Sequence, residues 1–259
     1  MQATAAASNT VVTFWHGRPL SHLRKICLAS QVKTGYAVKL YSYEPIQDLP
    51  LGVENVDAAP ILSSHYLDKL SIVQFSDFFR VRLQENRLGI WLDNDLYLLR
   101  PMQVDPSIPY FGLVSRGHIN NAVLYLPPAH PIVAAYELAL GQLEVLPDSL
   151  PAYYKLTQFF RKLAGKPSMP WQLRHAMYGP RMLTGLARRT DTLKYALPIR
   201  SFHAVHWKPE LFFEKRNFAP LVEDPQVLGL HISPGIWERK SVVAGSLCEW
   251  AGRNVGMPA

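Results

Sequence analysis

Apolar residues along this chain recur at two spacings, and the spacings alternate. Val11 to Trp15 runs almost without a polar break, as a short buried strand does, after a loose leader (residues 1–10) rich in Ala, Ser and Thr. Pro19, following the Gly17-Arg18 turn, opens a helix expected through Ser30, because Leu20, Leu23, Ile26, Cys27 and Ser30 share one stripe. Ala37 to Tyr43 then alternates as a strand, and the Pro- and Asp-rich stretch behind it reads as loop. Tyr66 to Gln84 returns to helical spacing through Leu67, Leu70, Val73 and Val81 with Phe78. Gly89 ends a loop, and Ile90-Trp91-Leu92 forms an apolar burst that leads directly into Asp93-Asn94-Asp95, followed by Leu96 to Leu99 and Pro101.

Strands are expected again at Tyr110 to Val114 and Asn121 to Leu126, and helices at Pro131 to Leu146, Tyr153 to Ala164 and Gly179 to Arg188. Short strand-like runs at Tyr195 to Ile199 and Val227 to Ile232 precede a last helix at Ser241 to Ala251. Strand, helix, strand order in the first hundred residues predicts an α/β sheet of mostly parallel strands flanked by helices. Ligands of such sheets gather at the carboxyl ends of the strands, and the acidic pair stands at one of them. No internal repeat or linker divides residues 11–259, which are expected to form one domain.

Composition narrows the class. With 259 residues and 48% hydrophobic content the chain can bury a large core. The longest apolar stretches, such as Ala122 to Leu126 and Ile132 to Tyr136, are far too short to cross a bilayer, and the N-terminus lacks a basic segment leading into an apolar run. A cytoplasmic protein is therefore expected, and the two distant cysteines, Cys27 and Cys248, imply neither a disulfide framework nor a zinc site. A formal charge of +7 could serve nucleic acid, an anionic membrane or a phosphorylated substrate. No helix-turn-helix, zinc-finger or aromatic RNA-binding pattern accompanies it, so nucleic acid is not an expected partner.

Candidate chemistry centres on Asp93 and Asp95. Two carboxylates one residue apart at a strand end make a hard-oxygen site suited to Mg2+ or Mn2+, whose remaining positions phosphate oxygens can fill. Lewis-acid stabilisation of a departing diphosphate is the chemistry such a site offers, while an acidic turn between strands explains the same three letters. Upstream, Asp77 and Arg80 stand three apart on one helix face, flanked by Phe75, Phe78 and Phe79. They form either an ion pair on a solvated face or a buried pair that needs a ligand.

Phe14-Trp15-His16-Gly17, then Phe75-Ser76-Asp77-x-x-Arg80, then Gly89-Ile90-Trp91-Leu92-Asp93-Asn94-Asp95 together resemble the sugar-binding, DXD-containing glycosyltransferase family. That family includes fungal initiating mannosyltransferases, glycolipid and lipooligosaccharide α-galactosyltransferases and, more distantly, the glucosyltransferase domains of large clostridial toxins. The resemblance covers Val11 to Met102 well and extends more faintly to Asn120-Asn121-Ala122-Val123, Gly179-Pro180-x-x-Leu183-Thr184 and Leu230-His231. It departs from the family at Leu88-Gly89, where two glycines are usual, and at Asn94, where Thr is common.

The resemblance implies a GT-A-like, Rossmann-like fold, with nucleotide-sugar binding mainly in residues 11–102 and the acceptor side mainly in 103–259. It implies a nucleotide-sugar donor, UDP-linked first and GDP-linked second, and transfer to a hydroxyl of a glycan or glycolipid in bacterial surface polysaccharide or lipopolysaccharide synthesis, with retained anomeric configuration. Carried over, Trp15 stacks on the base, Asp77 and Arg80 contact ribose and donor sugar or phosphate, and Asp95 ligates the metal. Asp93 reaches the ribose or, through water, the metal, and His231 contacts the diphosphate or completes the metal shell. Asp93, Asp95 and Arg80 are thus the catalytic candidates.

Each role has a plainer counterpart. Trp15 can be a core aromatic and His231 a structural histidine, although Gly17 and the Ser233-Pro234-Gly235-Trp237 turn favour a pocket rim. Asn120 and Asn121 are acceptor-side candidates or an Asx turn. His206 and Trp237 are further acceptor-side candidates; His203 and His206 with Trp207 make poor zinc evidence. Arg188-Arg189 and Glu238-Arg239-Lys240 are solvated faces, or attract an anionic acceptor or the inner membrane face. Two other classes compete: a haloacid-dehalogenase-like phosphatase with Asp93 as nucleophile, and a non-catalytic nucleotide- or glycan-binding protein.

Overall fold

The computed structural model describes residues 9–172, 177–205, 208, 210–232 and 241–257. Most of the expected leader, His206, Trp207, Trp237 and the Glu238-Arg239-Lys240 run lie outside them. The first half alternates strand and helix: β1 (Thr10–Phe14), α1 (His22–Lys33), β2 (Ala37–Ser42), β3 (Val53–Asp57), α2 (Ile72–Glu85), β4 (Ile90–Leu92) and β5 (Leu96–Leu98). A hairpin follows, β6 (Tyr110–Ser115) and β7 (His118–Tyr125), then the helices α3 (Pro131–Gly141), α4 (Ala152–Leu163), α5 (Met182–Arg189), α6 (Ile199–His203), α7 (Glu210–Phe213) and α8 (Ala219–Val222). The strand β8 (Gly229–His231) and the helix α9 (Leu247–Asn254) complete the order.

The central sheet runs β3-β2-β1-β4-β7-β6. Its first four strands are mutually parallel, and β7 and β6 are added antiparallel at the far edge. This is the mixed α/β, mostly parallel sheet that the alternating pattern predicts, with helices on both faces. Alternation along β1 divides the core: Val12 and Phe14 pack with the aromatic face of α2 and with α3 and α5, whereas Val11 packs on the α1 side with Leu28, Val38 and Ile90. Phe14 stacks on Phe79 at 4.5 Å between ring centroids, which fixes the end of β1 against α2.

A third apolar cluster joins Leu23 and Ile26 of α1 to Tyr97, Leu230, Phe212 and Leu247. It seats a small second sheet in which β5 and β8 pair antiparallel, with Leu96 opposite His231. Gly89 has a φ of 146° with its α-carbon against β1: a Cβ there would meet the carbonyl oxygen of Thr10 at 2.6 Å. Glycine is thus what lets β4 enter beside β1.

Several boundaries differ from the pattern. The stretch after β2 holds one of the four parallel strands, β3, half-exposed at the sheet edge, so it lacks the apolar signal of its neighbours. The long helix expected at Tyr66 to Gln84 is interrupted: a short 3-10 turn, Ser64–Asp68, is followed by Ser71, whose hydroxyl and Gln74 form a capping box that starts α2 afresh. Likewise Ser21, and not Pro19, caps α1. Tyr195 to Ile199 is no strand. Leu197 alone bridges to β6, because Pro198 has no N–H to extend the ladder and begins α6 instead. The last helix starts at Leu247 under a Ser246 cap, six residues later than expected. β7 begins at His118, after the two-residue turn Arg116-Gly117 and three residues earlier than expected, so Asn120 as well as Asn121 lies within the strand.

Candidate metal and donor site

The carboxyl ends of β1 and β4 open beside each other, and the residues that follow them line a cleft of about 400 Å3. Phe14, Trp15 and His16 come from the end of β1, Asp93, Asn94 and Asp95 from the end of β4, Ser76 and Arg80 from α2, and Arg24 from α1. Parallel pairing of β1 with β4 puts Trp15 and the acidic pair at one mouth although they are far apart in sequence.

The β4 to β5 turn is held at every residue. The Asp93 amide donates to the Ala122 carbonyl at 2.7 Å, and the Leu96 amide returns to the Asp93 carbonyl at 3.0 Å. Asn94 donates from Nδ2 to the Phe14 carbonyl at 3.1 Å and accepts from the Arg24 guanidinium. The Asp95 carbonyl accepts from the Ile232 amide at 3.1 Å, which ties the turn to the end of β8 and brings His231 to it.

The two carboxylates then face differently. Asp93 Oδ1 accepts from Trp91 Nε1 at 2.7 Å and lies 3.3 Å from Arg80 Nη1, leaving Oδ2 directed toward His231 Nε2 at 3.8 Å. Asp95 Oδ1 is 3.3 Å from the same imidazole nitrogen, while Oδ2 lies 3.7 Å from Arg24. Burial works against charge on Asp95, but His231 and Arg24 outweigh it and hold the carboxyl down at about 2. Burial likewise disfavours a charged His231, and Asp95 and Asp93 outweigh that, raising its pKa above 6.5.

Asp93, Asp95 and His231 each offer a ligand atom, all within 4.8 Å of one another. A six-coordinate ion with ligands at about 2.1 Å spaces neighbouring donors by about 3.0 Å and opposed donors by about 4.2 Å. The 3.3 and 3.8 Å separations between the imidazole and the two carboxylates fall between those limits. Asp95 Oδ1 is also buried, with the His231 imidazole as its polar neighbour. Two hard oxygens and one imidazole nitrogen suit Mn2+ and Mg2+, Mn2+ being the more tolerant of nitrogen.

Arg80 is the hinge between this group and the interior. Its guanidinium donates to the Asn121 carbonyl at 2.5 Å and to Ser76, and sits over the Trp91 ring at 4.6 Å. Asp77 stands 3.6 Å behind it, fully buried, accepting from Asn121 Nδ2 at 2.8 Å. Burial pushes the Asp77 carboxyl up to about 7, against the opposing pull of Arg80 and Asn121. Gly179 makes room for it: a Cβ there would lie 2.5 Å from Asp77 Oδ1.

The structure therefore gathers Trp15, Arg80, Asp93 and Asp95 around one cleft, sets His231 against the two carboxylates, and sets Asp77 behind Arg80; neither His231 nor Asp77 is among the lining residues. Asn121 is buried as the partner of Asp77, and Asn120 turns back on its own strand, accepting from the Ala122 amide at 2.7 Å. His203 packs edge-on to His231 at 5.3 Å between centroids. His206 and Trp237 lie outside the described residues.

Pattern reading passes over Arg24 and Trp91. Arg24 occupies the first turn of the helix after β1, and that turn in an α/β sheet faces the strand ends, which is a usable signal. Trp91 reads as one more core residue until its indole N–H is seen on Asp93.

No family model matches the chain, and no curated protein matches it. Among solved structures it is similar to "PaToxG Glycosyltransferase", at 12% sequence identity and a TM-score of 0.40, across 97% of this chain and 86% of that one. Superposition that loose leaves the reading of function to the site.

Proposed function

We propose that this chain is a metal-dependent glycosyltransferase with a GT-A-like fold, taking a sugar from a nucleoside diphosphate sugar, UDP-linked by preference, to a hydroxyl of a glycan or glycolipid. The carrying observation is the Asp93, Asp95 and His231 group beside a cleft lined by Trp15, Arg24 and Arg80. Asp95 and His231 would hold Mn2+ or Mg2+ directly, with Asp93 as third ligand or acting through water. A bound divalent ion would supply Lewis-acid stabilisation of the leaving diphosphate.

The remaining roles belong to the chain. Trp15 presents a ring for the base at the cleft edge, its indole N–H anchored on the Arg18 carbonyl at 2.6 Å. Arg24 lies over that ring at 4.9 Å and beside Asp95, so it spans the interval between base and metal and is placed to meet the diphosphate. Arg80 balances Asp93 and can contact donor sugar or phosphate, and Asp77 and Asn121 position it from behind. In the transfer, the bond from the anomeric carbon to the diphosphate oxygen breaks, the acceptor oxygen bonds to that carbon, and its proton leaves with the phosphate.

No described helix is long and apolar enough to cross a membrane; we place the work in the cytoplasm, on precursors of surface polysaccharide. A thermal-shift screen of UDP, GDP and their sugar conjugates, with and without Mn2+, tests the assignment, alongside donor hydrolysis by Asp95→Ala. Stabilisation by one nucleotide only when metal is present, and loss of metal-dependent hydrolysis in a folded Asp95→Ala variant, are expected. Full activity of that variant without added metal would remove the basis of the proposal.

A further inference from the structure

The helix α4 has the composition of a buried amphipathic helix and the environment of an exposed one. Its sequence, AYYKLTQFFRKL, contains six large apolar or aromatic side chains, yet Tyr154 is its only buried residue. Leu156, Phe159, Phe160 and Leu163 are spaced i, i+3, i+4 and i+7, so they share one face, and they are 56%, 56%, 61% and 68% exposed. Tyr154 anchors the opposite face: its ring stacks on Tyr153 at 4.4 Å, and Arg181 lies 5.9 Å from its centroid. The apolar face is therefore turned away from the body of the protein, along a helix about 18 Å long.

Charge says what would cover that face. Lys155 and Lys162, seven residues apart, flank it on one side, Arg161 falls on the Tyr154 side, and α4 holds no acidic residue. Between Asp148 and Asp191 the sequence has no Asp or Glu at all, against eight basic residues: Lys155, Arg161, Lys162, Lys166, Arg174, Arg181, Arg188 and Arg189. The +7 charge of the chain is therefore concentrated in this one segment. A second copy packed on the same face by a two-fold axis would bring these cationic shoulders together, at a cost. An anionic lipid surface instead offers negative headgroups to the Lys and Arg and an apolar interior to Phe159, Phe160, Leu156 and Leu163. Lysine stems can lie along that boundary with their ammonium groups in the headgroup layer.

We propose that α4 is an in-plane anchor by which the protein docks on anionic lipid bilayers, without spanning them. The proposal goes beyond the sugar-transfer reading and stands without it, since its test needs neither metal nor nucleotide.

The full chain is co-sedimented with phosphatidylcholine vesicles and with vesicles that also contain phosphatidylglycerol. Binding to the second alone, weakened by salt, is expected. Phe159→Ser with Phe160→Ser should lower the partition coefficient at least about tenfold by removing buried apolar surface. Lys155→Gln with Lys162→Gln should lower it by a similar factor through lost attraction to headgroups. These side chains are exposed, so both variants should retain the wild-type circular dichroism and Tm. Wild-type protein that ignores phosphatidylglycerol, or variants that bind as the wild type does, would overturn the proposal. So would a wild-type dimer in sedimentation equilibrium that the Phe pair dissolves, because the face would then belong to a second copy.

Discussion

Replacing Asp77 with Asn should make this protein more stable at neutral pH and less so, relative to wild type, as the solution is acidified. Asp77 is buried, accepts one hydrogen bond from Asn121, and keeps its second oxygen without a donor among the described residues. Folding lifts its pKa from 3.8 to about 7. The native state therefore binds more protons than the unfolded state between those values, and stability falls as pH rises through that window. Three units correspond to roughly 4 kcal/mol lost at pH 8, of which less than about 2 kcal/mol is already lost at pH 5. Asn cannot titrate. It can keep the bond from Asn121, and the N–H groups it places against Gly179 cost about 1–3 kcal/mol at any pH. The variant's advantage over wild type should consequently widen by roughly 2–3 kcal/mol between pH 5 and pH 8, whatever that constant cost is. Urea denaturation followed by tryptophan fluorescence at pH 5, 6, 7 and 8 measures the difference directly. An advantage that stays flat or narrows with rising pH would refute the account of Asp77 as a charge held at the expense of stability. Activity is expected to move the other way, since Arg80 loses the carboxylate that positions it.

Other outcomes follow from the same geometry. Trp15→Ala should weaken UDP affinity by about tenfold to a hundredfold, in line with roughly 1–3 kcal/mol per stacked base, while slowing turnover at saturation far less; calorimetry that finds unchanged affinity would discard stacking. Arg24→Ala should leave Mn2+ binding as tight or tighter, because a cation beside Asp95 is gone, yet weaken UDP in the presence of Mn2+ by about tenfold or more, the worth of a charge-assisted hydrogen bond. Because Asp95 and Asp93 raise the pKa of His231, the metal must displace its proton. Mn2+ affinity should therefore climb as pH rises through that raised value, with up to about one proton released, detectable by calorimetry in buffers of different ionisation enthalpy. Metal binding that is indifferent to pH between 6 and 8 would take His231 out of the shell.

Most of the sheet was legible because burial and pattern agreed there. Val11 to Phe14 and Ile90 to Leu92 are buried throughout, so a nearly unbroken apolar run is a faithful sign of a central parallel strand. β3 escaped notice for the opposite reason: an edge strand reading VENVD, half-exposed on both faces, has no apolar stripe to show. The merged helix at Tyr66 to Gln84 illustrates a different failure. Hydrophobic spacing persisted across Leu67, Leu70 and Val73, but Ser71 and Gln74 offered backbone bonds that a continuing helix could not, and local capping outweighed the period.

The candidate site divides along the same line. Asp93 and Asp95 stand out in the sequence as two carboxylates directly after an apolar run, a pattern that an acidic turn explains as well, and His231 comes from the resemblance. What could not be read is how their charges are balanced. Arg24 is 70 residues from Asn94 and Asn121 is 44 from Asp77; the parallel pairing of β1 with β4 brings the first pair together and the antiparallel pairing of β7 on β4 the second. That balance is the informative part. A metal site left with its carboxylates unopposed would repel itself open in the absence of an ion, and one fully neutralised by cations would bind no ion at all. Here Arg80 engages the Asp93 oxygen that faces away from His231, and Arg24 engages the corresponding oxygen of Asp95. Each carboxylate thus keeps its other oxygen turned toward the imidazole, so the fold can persist without metal and still present an opening for one.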